Sequence, residues 1–284
     1  MLNKKKINIF ALFILFFIGF SQAGFALTDT LGNSLNTYIS KFPAKTNVYI
    51  YLESTNNKTV FKKNENKILS AASIIKIPVM IEVMEQVKEK KFKLLDKITL
   101  SEKDKVSGSG VLKSNKSGLK LTIYRLVYLM ITESDNTATN MLINKVGMQA
   151  INIRMQKLGL TKTFLQLLIM DFKAASQGKD NYTSAYETAI LLKKIYNNQI
   201  ATPDLCQIMI NILKKTKNNK AILKFLPSVP VAHKTGSLYN IYGDTGIIYT
   251  ERPFILSIFV QGQTIEKSEK IIGDIAKISF EYLK

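Results

Sequence analysis

Short runs rich in β-branched and aromatic residues stand at both ends of this chain, and the long middle has helical periodicity. Residues 48–52 and 59–61 are β-prone and separated by the turn cluster Ser54-Thr55-Asn56-Asn57, which predicts a hairpin. Three more such runs, 229–232, 245–249 and 254–260, are punctuated by Gly236, Gly243, Gly246 and Pro253. From Ser73 the period changes: Ile74, Ile75, Val79, Met80, Val83, Met84 and Val87 share a helical stripe. Further helices are expected over 122–131, 137–146, 148–158, 185–196 and 203–213, with one before the first strand (28–39) and one at the end (265–282). A chain ordered in this way predicts an α/β (α+β) fold. One antiparallel sheet is built from both chain ends and flanked by helices, beside an all-helical lobe. Residues 27–284 read as one folding unit, with a sheet lobe of about 27–70 and 226–284 and a helical lobe of about 71–225. The join between the lobes should be a cleft, where ligand sites tend to lie.

The first 26 residues read as an address. Lys4, Lys5 and Lys6 precede an apolar run over 7–20, followed by the small residues Ser21, Ala23, Gly24 and Ala26, which is the pattern of a secretory signal cleaved near Ala23 or Ala26. The run is shorter than the roughly 20 residues that span a bilayer, so no stable membrane span is expected after cleavage. No cysteine follows it to carry a lipid. The working compartment is therefore expected to be periplasmic or extracellular.

Forty Lys and Arg against 21 Asp and Glu give a net charge of +19 among 284 residues, but only Arg125, Arg154 and Arg252 are arginines. Base edges and phosphates favour the guanidinium fork over the ammonium point charge, so nucleic acid is not expected as a partner. The densest charge run, Lys88 to Lys93, contains Glu89 and Phe92 and reads as an exposed helix end. Cys206 is the only cysteine, which excludes an internal disulfide and a cysteine-rich zinc site. It lies among Leu205, Ile208 and Met209 and is expected to be buried.

Three short motifs carry the chemistry. In Ser73-Ile74-Ile75-Lys76 the serine and lysine are three apart at a helix start, so the amine can reach the hydroxyl, and a desolvated lysine can act as its base. Ser134-Asp135-Asn136 lies between two helical patterns and would, by itself, be explained as an N-cap. Lys234-Thr235-Gly236-Ser237 falls on a predicted strand, where a glycine signals close approach to the backbone. The single histidine, His233, adjoins Lys234 and reads as a packing or hydrogen-bonding residue, not as the base of a Ser/His/Asp triad.

Taken jointly and in this order, S-x-x-K, S-D-N and K-T-G are the set of class A β-lactamases and penicillin-binding proteins. The chain resembles a class A β-lactamase or a closely related penicillin-recognising serine hydrolase. Ser107-Gly108-Ser109-Gly110 resembles the loop facing the nucleophile, and His233 to Gly236 with Asp244-Thr245-Gly246 resembles the paired late strands. The resemblance implies a single catalytic unit, active as a monomer without cofactor or metal, on a β-lactam or a cell-wall peptide. It implies Ser73 as nucleophile and Lys76 as its proton acceptor or relay. Ser134 would serve as proton donor to the departing nitrogen, and Asn136 would hold Lys76 and the substrate amide. Lys234 and Thr235 would bind the substrate carboxylate, and the backbone N–H groups of Ser73 and Ser237 would form the oxyanion hole beside Gly236.

One element of the resemblance is missing. Class A enzymes use an ω-loop glutamate to activate the deacylating water, yet no glutamate occurs between Leu160 and Thr183. Asp171 is the first carboxylate there and is the candidate to replace it. Losing a placed general base costs about 10² to 10⁴ in rate. The expectation is thus a β-lactam hydrolase with slow deacylation. The alternatives are a D-alanyl-D-alanine peptidase or other related serine hydrolase, or a β-lactam-binding sensor without turnover.

Overall fold

The computed structural model describes residues 30–56 and 59–284. The leader read in residues 1–26 and the expected first two residues of the opening helix lie outside the described residues. Helix α1 (30–39) is followed by strands β1 (Asn47–Ser54) and β2 (Thr59–Lys63), the expected hairpin, and by the two-residue β3 (Leu69–Ser70). A single 3-10 turn, Ala72–Ile75, leads into α2 (Lys76–Lys88). Then come β4 (Lys97–Thr99), β5 (Lys120–Thr122), α3 (Ile123–Thr132), α4 (Asn136–Val146), α5 (Met148–Lys157), the short α6 (Phe172–Ser176) and β6 (Tyr182–Thr183). Helices α7 (Ala185–Tyr196) and α8 (Pro203–Leu213) have the bounds expected from their periodicity. Strands β7 (Val231–Leu238), β8 (Ile241–Ile248) and β9 (Phe254–Gln261) and helix α9 (Ile265–Leu283) close the chain.

Both chain ends meet in one antiparallel sheet of order β2-β1-β9-β8-β7. Strand β1 pairs with β9 over its whole length, from Asn47↔Gln261 to Ser54↔Phe254. Alternation sends Val48, Ile50 and Leu52 to one face, where they pack with Leu35 of α1 and with Ile272 and Ile275 of α9. Tyr49 and Tyr51 turn to the other face and join the core of the helical lobe. Because both faces are covered, β9 is buried along nearly all of its length and is apolar from Phe254 to Val260 except for the buried Ser257. Helix α2 is buried almost all round and occupies the centre of the helical lobe. Its buried Glu82 and Glu85 both pair with Arg154 of α5, at 2.9 and 3.6 Å.

The structure departs from the sequence reading where residues are polar or segments short. Strand β8 begins four residues earlier than the expected 245, because Ile241 to Asp244 are carried along by pairing with β7. The two-stranded ladders β3-β6 and β4-β5 are too short to show any periodicity. Phe259 is 1% exposed, and a Cβ built on Gly243 would lie 2.6 Å from its ring. Phe259→Ala should therefore lower the unfolding free energy by about 3–5 kcal/mol, read from equilibrium urea unfolding.

Candidate active site

Ser73 sits on the 3-10 turn ahead of α2, held from two sides. Behind it, the Ala71 N–H donates to the Asn181 carbonyl at 2.8 Å, and Ala72 takes a left-handed backbone with φ of +47°. In front, β7 passes so close that a Cβ on Gly236 would lie 3.0 Å from Ala71 O and from Ile74 N. Gly236 is thus the residue that lets the edge strand reach the turn, as the motif suggested.

Lys76 opens α2 and is fully buried. Its Nζ lies 3.0 Å from Ser73 Oγ and from Ser134 Oγ, 2.9 Å from Asn136 Oδ1 and 2.7 Å from the Ser134 carbonyl. Ser134 bridges the α3–α4 junction with φ of +53°, and its Oγ also receives Lys234 Nζ at 3.2 Å. The result is a continuous polar path from Ser73 through Lys76 and Ser134 to Lys234. Asp135 does more than the expected capping. Its Oδ1 accepts from Ala138 N of α4 at 2.9 Å, while Oδ2 accepts from Val111 N and Leu112 N at 2.7 and 2.9 Å. It thereby pins the 107–112 loop, whose Gly108 and Gly110 leave no room for a Cβ against Asn136 and Asp135. Asn136 Nδ2 donates to the Ser107 carbonyl at 3.0 Å.

Burial, then the charge of Lys234, push the Lys76 pKa well below that of a free lysine, opposed by Asp135. Lys234 is itself lowered to about 8 by burial, against the pull of Asp244. A lowered pKa makes a lysine beside a hydroxyl better able to take its proton, and a second lysine that stays protonated at neutral pH can hold an anion. His233 lies outside this path. Its Nδ1 is 3.0 Å from Asp244 Oδ1, both are buried, and its carbonyl accepts from Thr216 Oγ1 at 2.7 Å. Cys206 is buried, as its neighbours implied.

Two compartments meet at Ser73, Ser109 and Ser237. The larger, about 520 Å³, is lined by Ser134, Lys234, Thr235, Thr216, Tyr242 and Glu269 among others. The smaller, about 220 Å³, is bounded by Asn136, Asn181 and the apolar Leu167, Ile169, Met170 and Leu238, with Asp180 as its one carboxylate. The loop carrying that apolar wall is fastened by asparagines that the sequence did not single out. Asn140 exchanges both hydrogen bonds with the Ile169 backbone, at 2.8 and 2.9 Å, and Asn181 does the same with Leu167 at 3.1 and 3.3 Å. Asn140 stands in the stretch following the S-D-N motif, but nothing in its local pattern marks it as a loop clamp.

Asp171 is the one proposed reactive residue that the structure does not bring to the site. It is the N-cap of α6, its Oδ1 accepts from Ala174 N at 3.0 Å, and it lines neither compartment. A local capping bond to the residue three positions on has claimed the carboxylate. The carboxylate that does reach the smaller compartment, Asp180, accepts from Ser70 Oγ and, at 2.7 Å, from Asn181 N.

An antiparallel sheet made from both termini, a helical lobe, and a buried lysine joining two serines between them define a β-lactamase/transpeptidase-like fold. A family model described as the Beta-lactamase enzyme family matches residues 30–283, and the chain belongs to that family. It is similar to the β-lactamase VEB-1 of Pseudomonas aeruginosa, with 26% identity over 98% of this chain and 97% of that protein. It is also similar to the D-alanyl-D-alanine carboxypeptidase DacF of Bacillus subtilis, with 24% identity over 63% of this chain and 48% of that one. Among solved structures, a β-lactamase from Sphaerobacter thermophilus superposes with a TM-score of 0.81 and 30% identity, covering 88% of this chain and 95% of the other. PBP-A shares the fold at a TM-score of 0.80 and 24% identity, over 89% and 95% of the two chains.

The capping role of Asp171 has a direct check. Asp171→Ala should cost about 1 kcal/mol in urea unfolding, whereas Asp171→Asn, which keeps a capping oxygen, should cost a few tenths. A general base would show the opposite signature, with Asn as damaging to turnover as Ala.

Proposed function

We propose that the protein is an exported serine hydrolase that opens β-lactams through an ester on Ser73 and releases that ester slowly. The observation that carries the acylation half is the buried Lys76 amine, its pKa pushed well below that of a free lysine, 3.0 Å from Ser73 Oγ. Ser73 Oγ bonds to the lactam carbonyl carbon as its proton passes to Lys76 Nζ. The carbon–nitrogen bond then breaks, and the nitrogen takes the Ser134 proton, which Lys76 replaces across 3.0 Å. Lys234 and Thr235 hold the substrate carboxylate. The Ser73 and Ser237 N–H groups are the oxyanion donors this reading requires. Export rests on the leader-like pattern of residues 1–26.

Slow release rests on the smaller compartment. Deacylation needs a base beside water next to the ester, but the wall there is Leu167, Ile169 and Met170, and Asp180 already accepts two hydrogen bonds. The same groups would cleave a D-alanyl-D-alanine peptide, and the partial likeness to a carboxypeptidase favours that as the second reading.

Intact-mass spectrometry over time after mixing with benzylpenicillin tests the scheme. An adduct of one penicillin per chain should appear quickly, persist for many turnover times of an ordinary hydrolase, and be absent in Ser73→Ala. An adduct that never accumulates while penicillin disappears would remove slow release. A chain that neither forms an adduct nor consumes penicillin, but cleaves a D-alanyl-D-alanine peptide, would establish the second reading.

Lys234 gives a pH limb. Its protonated form, the one that grips a carboxylate, is present below about 8 and is lost as pH rises through that value. The second-order acylation rate should therefore fall above pH 8, and Lys234→Arg, whose cation does not titrate there, should flatten the fall.

A further inference from the structure

The larger compartment continues past Ser134 and Lys234 to Asn218, Lys220, Tyr242, Ile265 and Glu269, a stretch the acyl-transfer scheme leaves unused. Glu269, in the second turn of α9, is 8% exposed. Its Oε1 accepts from the Tyr242 hydroxyl at 3.3 Å, and that hydroxyl accepts from Asn218 Nδ2 at 3.2 Å. Among the described residues no hydrogen bond reaches Oε2, and no cation lies within 4.0 Å of either oxygen.

The other strongly buried carboxylates are all well compensated. Glu82 and Glu85 have Arg154, Glu53 has Lys193, and Asp244 has His233 and the Ile222 N–H. Asp135 accepts three backbone N–H groups, and Glu187 accepts Thr161 N, Lys162 N and Thr163 Oγ1. Glu269 alone is left with one long hydrogen bond from a neutral hydroxyl, and its Oε2, which is not enclosed by protein, is open to the cleft that the residue lines. In a chain of net charge +19, Glu269 is the carboxylate lining this cleft that has no ion-pair partner among the described residues, since Glu133 is paired with Lys217. Burial and the charges of Asp244 and Glu269 hold the Tyr242 hydroxyl far above its ordinary pKa. Of the nearby lysines, Lys217 is paired with Glu133. Lys220 lines the same end of the cleft, makes no ion pair among the described residues and lies beyond 4.0 Å of the Glu269 carboxylate.

We propose that Glu269 and Tyr242 form a subsite for a cationic group on the leaving-group side of the substrate. An amphoteric leaving group would place its carboxylate at Lys234 and Thr235 and an ammonium or pyridinium centre at Glu269. The side follows from Ser134: the proposed proton donor to the departing nitrogen lines the same compartment as Tyr242 and Glu269 and not the smaller one. The inference rests on the acyl-transfer reading above.

The test uses two cephalosporins with the same 2-thienylacetyl side chain, one bearing a 3-pyridiniomethyl group and the other a neutral 3-acetoxymethyl group. Acylation rates at Ser73 are each divided by the compound's own hydroxide hydrolysis rate, which removes intrinsic reactivity. The wild-type ratio, cationic over neutral, should be about tenfold, and Glu269→Gln should bring it within about twofold of unity. Because the ratio cancels the folded fraction, a partly folded variant still reports. If Glu269→Gln does not fold, the wild-type ratio decides alone, and a value near unity overturns the subsite. An equal ratio in wild type and Glu269→Gln also overturns it. Acylation by benzylpenicillin without any charge preference sinks the subsite and leaves the acyl-transfer scheme standing. No acylation by any of the three removes both.

Discussion

A lysine with no exposed surface, reached by two serine hydroxyls, a carbonyl and an amide oxygen, is the interaction on which the rest of this molecule depends. An ammonium ion in that position would be stable only with strong compensation, and a second lysine close by works against it. The group therefore gives up its proton readily. Much of the surrounding structure can be understood as what keeps that cage shut: the two left-handed residues Ala72 and Ser134, and the glycine that lets β7 close against the turn. Conformations of this kind cost about 1–3 kcal/mol each and persist where the surroundings over-determine them.

The two lysines divide the work because they are desolvated to different effect. Lys76 has a like charge nearby and only Asp135 to oppose the loss of its proton, while Lys234 has the Asp244 charge in support and remains protonated up to about pH 8. The buried Asp244 carboxylate thus acts at a distance. It anchors the Ile222 N–H to the strand and supplies the negative charge that keeps Lys234 cationic. His233, which reads in the sequence as a packing or hydrogen-bonding residue, contacts the Asp244 carboxylate at 3.0 Å and lies outside the path of reacting groups.

The cleft is asymmetric across Ser73. On one side stand lysines, hydroxyls and a carboxylate, Glu269, without an ion-pair partner among the described residues; on the other, an apolar wall fastened from behind by Asn140 and Asn181. Chemistry that needs charge is served on the first side, and chemistry that needs a base beside water is poorly served on the second. That asymmetry is what the proposal of slow ester release rests on.

What the sequence determined by itself was what repeats locally or recurs as a motif. Strand and helix periods placed α7 and α8 to the residue, and the run of strands at both ends implied a shared sheet. The order of S-x-x-K, S-D-N and K-T-G led to Ser73, Lys76, Ser134 and Lys234, and the missing glutamate was visible as an absence. Tertiary structure alone decided how those groups face one another. Lys76 meets Asn136 across 60 positions of chain and Lys234 meets Ser134 across 100, distances that no local pattern encodes. It also sent Asp171 to a helix cap, brought Asp180 to the smaller compartment and left Glu269 buried without a cation. Carboxylates of one residue type look alike in a sequence. Their roles are set by which donors packing brings within about 3 Å, and that depends on the whole chain.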